Sequence, residues 1–260
     1  MANQIVSQQS EISTPEQTVS SSLIEVIKDE GMSRFLNKGT GLGAEYLDSV
    51  LNEIVQEKVL GEVPILKTII AVSKTWNGIS NFLFAKKLLT FLFELKDVSA
   101  KEKEELLAKL DGPKKQEITD QLLIVLDKHD RLIKSTIQGR LFKGMIRGYL
   151  TQKDYFSLTH IVSSIDAESF DPLALFYKAE GIGAFPHNDI YSLASLKLIT
   201  IDNSHIGLVG GGGPQYKRNR LGVMLVTIGL NTKIPIDYVE IIIGKIEATS
   251  LFDHLHYHSK

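Results

Sequence analysis

The chain of 260 residues contains no cysteine, and that absence excludes disulfides, thiolate zinc sites and a thiol nucleophile. It carries almost no net charge, −2 at neutral pH, so it lacks the global basic field that favours binding to nucleic acid. Any such site has to be local. Residues 1–22, MANQIVSQQSEISTPEQTVSSS, have no basic start and no apolar core, which is unlike a secretory signal or an Arg-rich transit peptide. No G-x-S-x-G, H-E-x-x-H or convincing triad is present. Sequence reasoning therefore locates no catalytic residue, cofactor site or metal site, and leaves enzymatic activity open. A cytoplasmic chain, with peripheral membrane contact as the alternative, is the expectation.

A long uninterrupted apolar run is also missing. The most apolar stretch, residues 63–95 (VPILKTIIAVSKTWNGISNFLFAKKLLTFLFEL), holds the single tryptophan, yet Lys67, Lys74, Lys86, Lys87 and Glu94 interrupt it. A spanning helix needs about 20 predominantly apolar residues, so no transmembrane span is expected. At about 100° per residue, Lys67, Lys74 and Asn81 share one stripe while Ile65, Ile69, Val72, Trp76, Ile79 and Leu83 lie mostly on the remainder. After Asn77-Gly78, Lys87, Thr90 and Glu94 form a second polar stripe, leaving Phe84, Leu88, Phe91, Leu92 and Leu95 to pack. Two amphipathic helices, or one bent helix, follow. Their bland role is the core of a bundle. Their functional alternative is a membrane-surface hairpin, with Ile69, Trp76, Phe82, Phe84 and Phe91 as membrane-contact residues.

The remaining composition, 43% hydrophobic and 23% charged, is ordinary for a globular chain. Residues 1–20 are too polar to offset the entropy of ordering and read as a disordered tail. The group Gly39, Gly41, Gly43 and Ala44 fits the loose form G-x-G-x-x-A but lacks the preceding strand that a dinucleotide site requires. Helical periodicity then recurs over residues 45–60, and over 100–110, where Ser99 and Glu102 have capping-box spacing. It continues over 115–133, 135–150 and 153–165, the last with Thr151 as a possible cap, and after Asp171-Pro172. In the 115–133 helix, the cluster Asp127, Lys128, His129, Asp130 and Arg131 is expected as an exposed ion-pair patch. Consecutive helical positions diverge, which argues against a catalytic or metal reading of His129.

The pattern changes near Gly181. A short helix over 190–198 with a His187-Asn188-Asp189 cap, strands at 199–201 and 205–209, a glycine run at 210–213 and a third strand over 221–228 are the order of a winged-helix-like piece. Residues 234–249 suit a helix or a strand; helix is the reading adopted. The glycine run lacks Gly-Lys-Ser/Thr and is expected as a hairpin or wing. Beside it Lys217, Arg218 and Arg220, with Lys197 and His205, are the candidate phosphate contacts of a nucleic-acid reading. Equally, they are the solvated charges of an ordinary loop. His254, His256 and His258 read as part of a flexible tail.

The fold class expected is mainly α: a multi-helix bundle over 21–180, a small winged-helix-like α+β piece over 181–250, and a flexible tail over 251–260. From about residue 47 to 131, the phrases GEVPILKTIIAVSK, KKLLTFLFELKDVSAKEKEELLAKL and LLIVLDKHDR resemble a broad set of uncharacterised bacterial helical proteins, from which no catalytic residue carries over. More faintly, LASLKLITIDN and LVTIGL resemble the end of Abi-alpha-type phage-defence proteins. That resemblance implies a setting in bacterial defence and an interaction or sensor role with a protein partner.

Overall fold

The computed structural model describes residues 78–109, 112–178, 187–203 and 214–235, together with Ile27, Val239, Glu240 and Ile242. This region is mostly helical, with one small antiparallel sheet near its C-terminal end. In chain order the helices are α1 (Gly78–Phe93), α2 (Ala100–Lys109), α3 (Gly112–Lys128), α4 (Leu132–Ile146), α5 (Gln152–Ser164), α6 (Phe170–Lys178) and α7 (His187–Ser195). Strands β1 (Ile199–Asp202) and β2 (Gln215–Arg218) follow, then α8 (Arg220–Met224), which runs directly into a π turn at Leu225–Gly229.

The apolar spacing in the second half of the 63–95 stretch has the expected consequence. Leu88, Leu89, Phe91, Leu92 and Leu95 are all buried, so this face of α1 is core. It packs on α4, the central helix, which also contacts α5 and the π turn. The α1–α4 approach is close because residue 139 is glycine: a Cβ there would lie 2.6 Å from the Phe91 carbonyl oxygen. An aromatic chain then crosses three helices. Phe91 meets Phe142 edge-on at 5.5 Å, and Phe142 meets Tyr155 at 5.6 Å; such pairs contribute about 0.5–1.5 kcal/mol beyond area burial.

Local signals set the helix starts. The Ser99 hydroxyl accepts from Glu102 N–H, and Glu102 Oε2 accepts from Ser99 N–H at 2.8 Å. Thr151 and Asp154 form the same reciprocal box at the start of α5. Each arrangement satisfies backbone donors that a helix start otherwise leaves unpaired.

Two expectations need correction. The helix expected to reach residue 133 ends at Lys128, and a new one begins at Leu132. His129 is consequently turned inward and only 2% exposed, and Lys134 is buried as well, so the expected surface patch is divided between core and solvent. The run 221–228, expected as a strand, is α8 and the π turn, buried from Gly222 to Gly229. A short all-apolar run does not distinguish a strand from a fully buried helix. Here Asn219 decides for helix, its side-chain carbonyl capping Gly222 N–H at 3.0 Å. Among the described residues β1 pairs with β2, in the register Ile199↔Arg218 to Asp202↔Gln215, while the expected strand at 205–209 lies outside them. The polar β2 sequence QYKR carries no strand periodicity of its own. Residues 1–20, 45–60, 205–209, 210–213 and 251–260 lie outside the described region, as do Gly39, Gly41, Gly43 and the histidines 254, 256 and 258.

Candidate functional site

The hairpin and α8 meet the helices along a seam held by four polar side chains. Tyr177, at the end of α6, is fully buried; its hydroxyl donates to the Leu198 carbonyl at 2.6 Å and accepts from Asn219 N–H at 3.0 Å. Burial raises its pKa, so it acts as a neutral hydrogen-bonding post. Asn219 caps α8 with one end of its amide and donates with the other to the Lys197 carbonyl at 3.1 Å. Arg218 donates twice to the Phe176 carbonyl, at 3.2 and 2.8 Å, and its guanidinium lies over the Phe176 ring. Arg220 grips both carboxylate oxygens of Asp154, at 2.5 and 3.0 Å. The Arg220 bond and then the Thr151 hydroxyl hold the Asp154 carboxyl below its usual pKa, against the opposing effect of burial.

The candidate phosphate contacts are therefore placed as follows. Lys217 pairs with Asp202 across the hairpin. Arg218 and Arg220 join the seam, and Lys197 is an exposed residue in a left-handed turn (φ 59°) leading into β1. His205 lies outside the described residues. Lys197, Lys217, Arg218 and Arg220 are thus neighbours around one hairpin, but at least three of them already have intramolecular partners.

Among the membrane-contact candidates, Ile69 and Trp76 lie outside the described residues and Phe82 lies on α1. Phe84 is half-buried against the core, and Phe91 is wholly buried. Leu83, on the same helix, is 49% exposed. Among the described residues no helix is long and apolar enough to cross a membrane, and no group of three or more His, Asp or Glu is placed to hold a metal ion.

Two polar constellations are absent from the sequence reading. On α4 and at its C-terminal cap, Arg140, Lys143 and Arg147 recur at intervals of three and four residues and face the end of α1 and the start of α2. Arg140 bonds Glu94 at 3.1 Å and the Gly229 carbonyl at 3.3 Å; Lys143 and Arg147 share the Asp97 carboxylate; Arg147 also reaches Glu102 at 3.2 Å. Burial alone would raise the Asp97 pKa, but Lys143 and Arg147 outweigh it and the net shift is downward. The cation spacing was a readable signal. Deeper in the core, Gln138 donates to the Tyr155 hydroxyl at 2.7 Å and to Thr159 at 2.8 Å. No local pattern marks that pairing, since it spans 17 and 21 residues.

No protein-family model matches the chain, and neither the curated proteins nor the solved structures give a significant match.

Proposed function

We propose that this chain acts by interaction rather than catalysis, as a sensor or adaptor module with a protein partner, and that its setting is bacterial phage defence by abortive infection. The observation that carries the non-catalytic part is the burial of three side chains capable of acid–base chemistry. His129, Tyr155 and Tyr177 are each at most 2% exposed, whereas a general acid or base must come within hydrogen-bond reach of a substrate. Asp154, Arg218 and Arg220 are bonded to one another or to the backbone along the seam. The defence setting rests on the faint Abi-alpha-type resemblance alone.

The test is an efficiency-of-plating assay in a bacterial host carrying the gene, paired with turnover assays on the purified protein. Reduced phage plating without nucleotide turnover is expected. Unchanged plating across a phage panel would remove the defence setting. Nucleotide turnover that one point substitution abolishes would remove the non-catalytic reading.

A second reading, action at a membrane surface through residues 63–95, is favoured by the exposure of Leu83 in the second turn of α1. Flotation with anionic liposomes at low salt tests it, and a protein that stays at the bottom of the gradient excludes it. For the nucleic-acid reading, the intramolecular partners of Lys217, Arg218 and Arg220 weigh against a free phosphate-binding face.

A further inference from the structure

His129 stands at the turn between α3 and α4. Its Nδ1 lies 3.1 Å from the Ser135 hydroxyl, which is itself buried, while its Nε2 is buried without a hydrogen-bond partner. Two ammonium groups bear on the ring. From α4 comes Lys134, buried and 2.8 Å from the Asp130 carboxylate. From α1 comes Lys87, whose Nζ donates to the Asp127 carbonyl at 2.6 Å and so ties α1 to the end of α3.

The other charges around the turn complete the setting. From α3 and the turn come the exposed carboxylates of Asp127 and Asp130. Arg131 points outward to Glu168 at 3.1 Å, and Asp166, before α6, acts on Asp130 and Lys134. Burial, then Lys134 and Lys87, lower the His129 pKa to about 4, with Asp130 opposing.

We propose that His129 is a proton-operated latch: the α3–α4 turn stays closed against α1 while the imidazole is neutral, and a second ring proton opens it. A doubly protonated ring is a donor at both nitrogens. Ser135 can accept from one of them, but Nε2–H would face no acceptor, and the new charge would stand beside Lys87 and Lys134. Rotation of the ring into water removes both penalties. It also withdraws the buried side chain that anchors the turn on which Lys87 holds α1. An exposed imidazole regains an ordinary pKa near 6.5. Between about pH 6.5 and 4 the open state therefore binds the extra proton and the closed state does not, and the open-to-closed ratio rises about tenfold per pH unit.

Hydrogen–deuterium exchange on the full chain, corrected for the intrinsic pH dependence of exchange, tests the latch. Between pH 6.5 and 5 the opening equilibrium of a peptide covering residues 126–137 should rise roughly 15-fold by the same linkage, while a peptide covering 152–164 stays constant. In His129→Gln the first peptide should lose this pH dependence. An equal rise in both peptides, or no rise in either, overturns the proposal. Should His129→Gln not fold, NMR titration of the wild-type imidazole decides: a folded-state midpoint below about 5.5 supports the latch, and any higher midpoint overturns it, given the ordinary value near 6.5.

Discussion

The hydroxyl of Tyr177 and the backbone of Gly222 occupy adjoining space so closely that a Cβ on residue 222 would overlap both that hydroxyl and the Leu198 carbonyl. Gly222 is in the first turn of α8, the point where the end piece enters the helical core. Gly222→Ala should therefore displace the Tyr177 post instead of merely crowding it. Overpacking of this kind costs about 1–3 kcal/mol, and loss of the buried Tyr177 bonds adds to it. A urea midpoint within error of the wild type would contradict this packing.

Asp154 serves two structural roles, as the N3 acid of the α5 capping box and as the partner of Arg220. Asp154→Asn keeps the shape but removes the charge, and should destabilise the fold by about 1–3 kcal/mol. Because the folded carboxyl titrates below its usual range, the unfolded chain takes up the proton first as pH falls. The stabilisation is present above the ordinary Asp value near 3.9 and is lost as pH falls through the folded one. Urea midpoints at pH 7 and pH 3 should differ less in Asp154→Asn than in the wild type.

Phe91 marks how residues 78–95 are used. Its side chain is wholly buried against Phe142 and its carbonyl oxygen faces Gly139, so Phe91→Ala should cost about 3–5 kcal/mol through the cavity it leaves. Gly139→Ala should cost about 1–3 kcal/mol by forcing α1 away from α4. Thermal melts of the two variants measure both effects. A Phe91→Ala protein as stable as the wild type would mean that the aromatic face of α1 is not core.

The Arg131–Glu168 pair gives a contrasting expectation. Both side chains are well over half exposed, and pairs of that kind contribute about 0–1 kcal/mol. Arg131→Ala should shift the denaturation midpoint little, and what shift there is should shrink further in 0.5 M salt. A large, salt-independent loss would place Arg131 in a role that its exposure does not indicate.

Much of the helical body was legible before any tertiary information. The spacing of Leu88, Phe91, Leu92 and Leu95 foretold the buried face of α1, Ser99 with Glu102 foretold the start of α2, and Thr151 foretold the start of α5. Asp154, three residues after Thr151, was readable by the same rule and was missed. The candidate site was less legible. Lys217, Arg218 and Arg220 were singled out for their charge, but their partners Asp202, the Phe176 carbonyl and Asp154 were not.

The sequence by itself determined what depends on neighbours three or four residues away: helical periodicity, caps, and an apolar stripe interrupted too often by lysine to suggest a span. Tertiary structure decided the rest. It turned His129 inward at a helix break, gave β1 the polar partner QYKR, and made residues 221–228 helical because they are buried from Gly222 onward and capped by Asn219. Arg220 and Asp154 are 66 residues apart, and Arg140 and the Gly229 carbonyl 89. Only the folded packing of α4, α5 and the end piece brings such groups within hydrogen-bond reach, and no local pattern in the chain encodes that meeting.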